Sequence, residues 1–215
     1  MPPDLRRHAL ILASGPFGHA VADRLRSREL PELDEVTVQP ADHGTHPSLW
    51  PRADLLVFAT SHERPRVSEA IDEKAFIWRL PWLEICAEPT EVRVGPVVTP
   101  GRTACHRCFV NRRHQHRRSI FTPAAGDEHP TGFAAHHVGI TAALARQAIA
   151  EALDGPAGGA IGGTVRRLNL VTGALGSSAV VAGDRCPRCR GTSDSEELWR
   201  ELAEATRAAT GRAGA

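Results

Sequence analysis

Four of the five cysteines stand as two matched pairs, Cys105-His106-Arg107-Cys108 and Cys186-Pro187-Arg188-Cys189, with residues 109–185 between them. A Cys-x-x-Cys turn brings two thiolates close enough to share one metal, and two such turns can close a tetrahedral site around zinc. One ion would then tie the middle of the chain to its far end. A closed set of four thiolates leaves no open coordination position, so such a zinc would hold structure rather than activate water. Two other readings stay open. A single Cys-x-x-Cys also serves redox chemistry beside a βαβ unit, and four cysteines can form disulfides. The first residues, Met1-Pro2-Pro3-Asp4-Leu5-Arg6-Arg7, carry no apolar run of the kind that begins a secreted protein. The expected location is therefore the reducing cytoplasm, where disulfides are disfavoured. Cys86 is left over and reads as a small buried apolar residue.

The 215 residues suffice for one well-buried domain with a short appendage. Lys and Arg number 26 against 25 Asp and Glu. That balance speaks against a dedicated nucleic-acid binder, which carries a basic excess. No apolar run reaches the length of a membrane span. The chain has no Tyr and one Met amid many Ala and Arg, which reads as coding bias.

Hydrophobic periodicity predicts the following order. His8 to Ser14 is a strand that ends at Gly15, and residues 17–25 have helical spacing. Val36 to Val38 and the run Ala53 to Thr60 are strands, the latter suited to a sheet covered on both faces. Arg64 to Lys74 is a helix, Phe76 to Trp78 a short strand, and Val92 to Val98 another strand. Phe133 to Leu153 is a long helix with Val138, Ala142, Ala145, Ile149 and Leu153 on one stripe; Ile140, Leu144 and Ala148 add a second apolar face. Gly155 to Gly163 is a link, and Val165 to Leu170 with Ser178 to Val181 form a hairpin. The tail from Ser193 to Ala209 is helical, with Ser193 and Glu196 as a capping box and Leu198, Leu202 and Ala205 on one stripe. The expected fold is α/β: a Rossmann-like, mostly parallel sheet with helices on both faces and a four-cysteine zinc site. Residues 1–192 form the single domain and residues 193–215 a C-terminal helix and tail.

Ser14-Gly15-Pro16-Phe17-Gly18-His19 has the place of a phosphate-cradling turn, with Gly15 and Gly18 as its candidate cofactor-binding residues. Ala13 stands where a first glycine belongs, Pro16 removes a donor, and Phe17 is bulky. Asp42 comes late for a ribose-binding acid. The other reading is a tight strand-to-helix turn without nucleotide. The eleven histidines show no catalytic spacing; His136 and His137 lie at the start of the long helix, and His43 and His46 flank Gly44 and Thr45. Asn111 to Arg118 is a basic run, either a solvated helix face or a docking surface for an acidic partner through Arg112, Arg113, Arg117 and Arg118.

Leu80-Pro81-Trp82-Leu83-Glu84-Ile85, then Val94-Gly95-Pro96-Val97-Val98-Thr99-Pro100-Gly101, then Cys105-x-x-Cys108 resemble the run into the first zinc pair of the ThiF/MoeB superfamily of ubiquitin-activating-type adenylating enzymes. The helix from Gly132 and Cys186-Pro187-x-Cys189 resemble its second half, so the resemblance covers about residues 8–191. It implies a structural zinc on Cys105, Cys108, Cys186 and Cys189. It also marks departures. Active members have a full glycine loop, an acid after the second strand, and a magnesium-binding Asp; here Ser61-His62-Glu63-Arg64 follows the strand, with no Asp. The chain is also short for an active member.

The branch it is most similar to comprises ThiF-like partner proteins of azole-forming peptide clusters, also called cyclodehydratase or leader-peptide-binding proteins. That resemblance implies a non-catalytic partner that binds a ribosomal precursor peptide or a YcaO-type enzyme, with ATP unlikely as its own cofactor. A winged-helix peptide-recognition domain precedes this part in many members and is expected to be absent here. Superfamily members commonly pair, so a homodimer or stable docking on a larger enzyme is expected. The alternative is an active ATP-dependent adenylating enzyme acting on a peptide or carrier-protein C-terminus; a zinc-ribbon nucleic-acid binder is the third reading.

Overall fold

The computed structural model describes residues 7–27, 30–116, 132–157 and 161–190. The predicted C-terminal helix with its capping box, Arg117 and Arg118 lie outside the described residues. Seven strands form one sheet in the order β2-β1-β3-β4-β5-β6-β7. They are β1 (His8–Ser14), β2 (Glu35–Pro40), β3 (Leu55–Thr60), β4 (Trp82–Ala87), β5 (Glu91–Val98), β6 (Thr164–Asn169) and β7 (Leu175–Ala179). The first four are mutually parallel, and β5, β6 and β7 continue the sheet antiparallel. The helices are α1 (Gly15–Arg26), α2 (Pro65–Trp78), α3 (His106–His116) and α4 (Ala135–Asp154). Among the described residues no helix is long and apolar enough to cross a membrane.

Alternation along the buried strands sorts the core into two layers. Ala9, Ile11 and Ala13 of β1, Leu55, Val57 and Ala59 of β3, and Leu83 and Ile85 of β4 meet α1 and α4. Leu10, Leu12, Leu56, Phe58 and Trp82 point to the opposite face, against Ile71 and Ala75 of α2. The continuous apolar runs are thus what a sheet covered on both faces requires. On α4 the buried stripe is Val138, Thr141, Ala142, Ala145, Ala148, Ile149 and Ala152. Ala148 therefore belongs to the first stripe, Leu144 packs at its edge, and Ile140 is exposed.

Two predicted elements are corrected. The second strand of the hairpin is Leu175–Ala179, not Ser178 to Val181. Phe76 to Trp78 is the last turn of α2, not a strand, and the strand is Trp82–Ala87. Ser68, Ile71, Asp72 and Ala75 form a buried stripe at helical spacing, which carries the helix past Lys74. Ile77 and Trp78 face solvent, and the helix ends at Arg79 in the left-handed region, without the glycine that would announce a stop.

Glu84 lies on the α2–α3 face of β4 and is almost fully buried, as is Arg93 of β5. Arg93 Nη1 donates to Glu84 Oε2 at 2.9 Å and to the Gly95 carbonyl at 2.7 Å, while Ser68 Oγ donates to Glu84 Oε1 at 2.6 Å. Burial alone would raise the Glu84 pKa; Arg93, with His106 and Ser68, overcomes it and holds the carboxyl well below the usual range. Removing one partner of such a pair strands the other charge in a dry interior. Glu84→Ala should lower unfolding stability by about 3–5 kcal/mol in urea melts, with unchanged m. Because the folded-state pKa is depressed, the contribution of Glu84 should be complete above the unfolded value of about 4.5. It should fade only as pH falls below that value, through the folded one.

Candidate metal centre and the closed phosphate turn

Cys105 immediately precedes α3 and Cys108 sits in its first turn, while Cys186 and Cys189 come from the turn after β7. The four Sγ atoms lie within 4.8 Å of one another, with Cys105–Cys186 and Cys108–Cys189 both at 3.6 Å. Zinc–sulfur bonds of about 2.3 Å place the sulfurs of a tetrahedron about 3.8 Å apart. The cluster can therefore hold a metal ion, and its all-sulfur donor set suits zinc. The Gly183 N–H donates to Cys108 Sγ at 3.1 Å. Burial pushes the Cys105 thiol up strongly and the Cys189 thiol to about 11. At Cys186 burial is outweighed by the N–H groups of Cys189 and Arg188, and the thiol falls to about 7. Cys86 is buried in β4, where burial raises its thiol well above the ordinary value.

Each turn also grips the domain through its inner residues. Asp72 of α2 is fully buried and receives the His106 N–H at 3.2 Å, Arg188 Nη1 at 2.6 Å and Trp82 Nε1 at 3.0 Å. Arg188 also pairs with Glu69 at 2.9 Å, and His106 Nε2 stands 3.3 Å from Glu84 Oε2. One carboxylate thus joins both cysteine turns to α2. Asp72 was legible only as a polar residue on the buried stripe of α2.

The glycine turn at the start of α1 is occupied by the chain's own side chains. The Gly15 N–H donates to Asp42 Oδ1 at 2.7 Å and the Phe17 N–H to Ser61 Oγ at 2.9 Å. Gly15 has φ +70°, and a Cβ there would lie 2.4 Å from Ser61 Oγ. Gly18 is required by packing, since its Cβ would lie 2.4 Å from the Ala59 carbonyl oxygen. Arg64 Nη1 donates to Ser14 Oγ at 2.8 Å and to the Ala41 carbonyl at 2.7 Å, which fixes the turn from the side. His19 Nε2 lies 2.8 Å from Asp42 Oδ2. The Gly15 N–H and then His19 hold the Asp42 carboxyl below its usual value, so an anion already sits at the N-terminus of α1. Phe17 packs edge-on against Phe133, with ring centroids 5.4 Å apart.

The basic run divides. Arg113 turns inward and pairs with Glu63 and with Glu88, the latter at 2.9 Å. Its guanidinium lies 5.5 Å from the Phe109 ring centroid, and Arg93 lies 4.9 Å from the same ring. Arg112 is half-buried and, among the described residues, bonds to Gln115 of its own helix. Glu63 is therefore an ion-pair partner. His136 and His137 stack at 4.2 Å at the start of α4, and His46 caps a short 3-10 turn through Ser48.

The heterocyclase TruD superposes with a TM-score of 0.57 at 20% identity, over 87% of this chain and 28% of that one. The E. coli microcin synthetase McbBCD complex gives 0.59 at 13%, over 86% and 69%. E. coli MccB determined with ATP gives 0.56 at 14%, over 85% and 66%. The chain has the fold of these proteins. It spans little more than a quarter of the TruD chain's length. No protein-family model matches the sequence, and no curated protein matches it.

The purified protein should carry one equivalent of zinc by elemental analysis. Cys186→Ser should lose the metal and melt at a clearly lower temperature, because metal-binding free energy is folding free energy in such a site. An unchanged melting temperature with retained zinc would remove the cluster from the fold's support.

Proposed function

We propose that the chain is a non-catalytic ThiF-like partner in ribosomal peptide natural-product biosynthesis. It binds the precursor peptide, assists a YcaO-type cyclodehydratase in forming azolines, or does both, and it carries a structural zinc on Cys105, Cys108, Cys186 and Cys189. The observation that carries this reading is the combination of a four-sulfur cluster with a phosphate turn whose donors are already taken by Asp42 and Ser61. The shared fold with a heterocyclase and a microcin synthetase complex supports the biosynthetic context. Of the basic run, Arg112 has no carboxylate partner among the described residues and Arg113 pairs with Glu63 and Glu88; Arg112, Arg113, Arg117 and Arg118 together remain the proposed partner-binding residues. Work as a homodimer or on a larger enzyme belongs to the same reading.

The alternative, an active adenylating enzyme, requires room for ATP at the turn. Gly15 and Gly18 would then contact phosphate, but Gly15 donates to a carboxylate that would repel it. Titration calorimetry with Mg-ATP should give a Kd weaker than about 1 mM, roughly −4 kcal/mol. A Kd below about 10 μM, or ATP–pyrophosphate exchange, would favour the enzyme instead.

The direct test is reconstitution with a YcaO enzyme and a Cys/Ser/Thr-rich precursor peptide encoded beside the gene. Mass spectrometry reads the loss of one water per ring. Addition of this chain should raise ring formation at least tenfold, and equal rates without it would sink the proposal.

A further inference from the structure

Among the described residues β7 is the outermost strand on its side of the sheet, and all five of its residues are exposed. Its pairing with β6 fixes which backbone groups are free. The Asn169 N–H donates to the Ala174 carbonyl and the Val180 N–H to that of Gly163. Hydrogen bonding alternates along an antiparallel strand, so Gly176 and Ser178 also face β6. Leu175, Ser177 and Ala179 then point their N–H and C=O groups away from the sheet, and among the described residues nothing meets them. Edges of this kind are ordinarily protected by charge, proline or a bulge. Leu-Gly-Ser-Ser-Ala has none of these.

A groove of about 710 Å³ runs beside this edge, between α3 and the β6–β7 hairpin. Phe109, Val165, Val180 and Val181 give it apolar walls. Its charged lining is three arginines against one carboxylate, Glu91. Arg113 is held by Glu63 and Glu88 and Arg167 pairs with Glu91 at 3.6 Å, while among the described residues Arg112 bonds only to neutral Gln115. Three guanidinium groups thus meet one carboxylate of the groove itself, Glu91, and Arg112 has no carboxylate partner among the described residues.

We propose that an extended acidic peptide segment adds to β7 as a further strand, laying alternate side chains into this groove with a carboxylate against Arg112 and Arg167. Backbone pairing would supply affinity, and the apolar and basic lining would supply selection. The occupant is a peptide rather than a second copy of the chain. Two β7 edges pairing about a twofold would set two arginine-lined grooves side by side. Five residues also fall far short of the roughly 1,200 Å² that a stable interface buries. This inference rests on the peptide-partner reading above and names the surface it would use.

The probe is a fluorescein-labelled peptide alternating valine with aspartate, followed by anisotropy with the full chain. The wild type should bind it saturably. A version with lysine for aspartate should bind at least tenfold more weakly, and one N-methylated on alternate amides should not bind. Ser177→Pro removes an outward N–H without touching the β6 ladder and should abolish binding at an unchanged melting temperature. Arg112→Glu should weaken binding at least tenfold. The proposal is overturned if the wild type shows no saturable binding, if the N-methylated peptide binds as well, or if folded Ser177→Pro binds normally. A wild-type dimer that Ser177→Pro loses, without peptide binding, would assign the edge to a second copy instead. Should Ser177→Pro not fold, the N-methylated comparison on the wild type decides. The two ideas fail separately. Probe binding without any effect on ring formation removes the role and keeps the site; ring formation raised equally by wild type and Ser177→Pro does the reverse.

Discussion

Four sulfur atoms within 4.8 Å of one another join two turns that stand far apart in the sequence. The cysteine turns flank α3, α4, β6 and β7, so bringing them together closes a loop over residues 109–185. The entropy of closing a flexible loop grows with its length, and the closure must be repaid by what forms at the junction. A metal held by the four sulfurs would supply one part. Asp72 supplies another, because it receives a donor from each turn and a third from Trp82. The sulfurs hold the turns to each other, and Asp72 holds both to α2 and the sheet.

The same junction explains the buried charges around it. Arg93 cannot reach solvent, so its position depends on Glu84, the Gly95 carbonyl and Glu88, with the Phe109 ring beneath it. Phe109 and Arg113 lie four residues apart on α3 and share its inner face. That spacing accounts for the split in the basic run. Arg113 is drawn to Glu63 and Glu88, while Arg112, the residue before it, points elsewhere around the helix and bonds to Gln115. Gly95 serves the same packing, since a Cβ there would lie 2.3 Å from the Thr164 carbonyl oxygen and would push β6 off β5.

Continuous apolar runs made β1 and β3 legible in sequence because they are buried on both faces, where neighbours impose no alternation. The cysteine cluster was legible because its chemistry is local and its spacing regular. Phe76 to Trp78 misled because three bulky apolar residues satisfy a strand and a helix end equally. Asp42, Ser61 and Asp72 could not be assigned roles, since each acts on a residue 27 to 44 positions away through contacts only the fold creates. The inward pairing of Arg113 was hidden for a related reason. A basic residue in a basic run looks solvated until Glu63 and Glu88 are brought to it.

The turn at Gly15 has its backbone donors taken by the chain's own Asp42 and Ser61. MccB, determined with ATP, shares this fold, so the fold does not decide whether nucleotide enters. The decision falls to a few side chains. A phosphate approaching α1 would compete with the Asp42 carboxylate for the Gly15 N–H, and two anions cannot share that helix end without mutual repulsion. Protonating Asp42 would relieve the conflict. Its carboxyl, however, is held below the ordinary range by the very contacts that phosphate would need. The internal anion therefore stays charged throughout physiological pH and keeps the Gly15 N–H occupied, the contact for which any phosphate would have to compete.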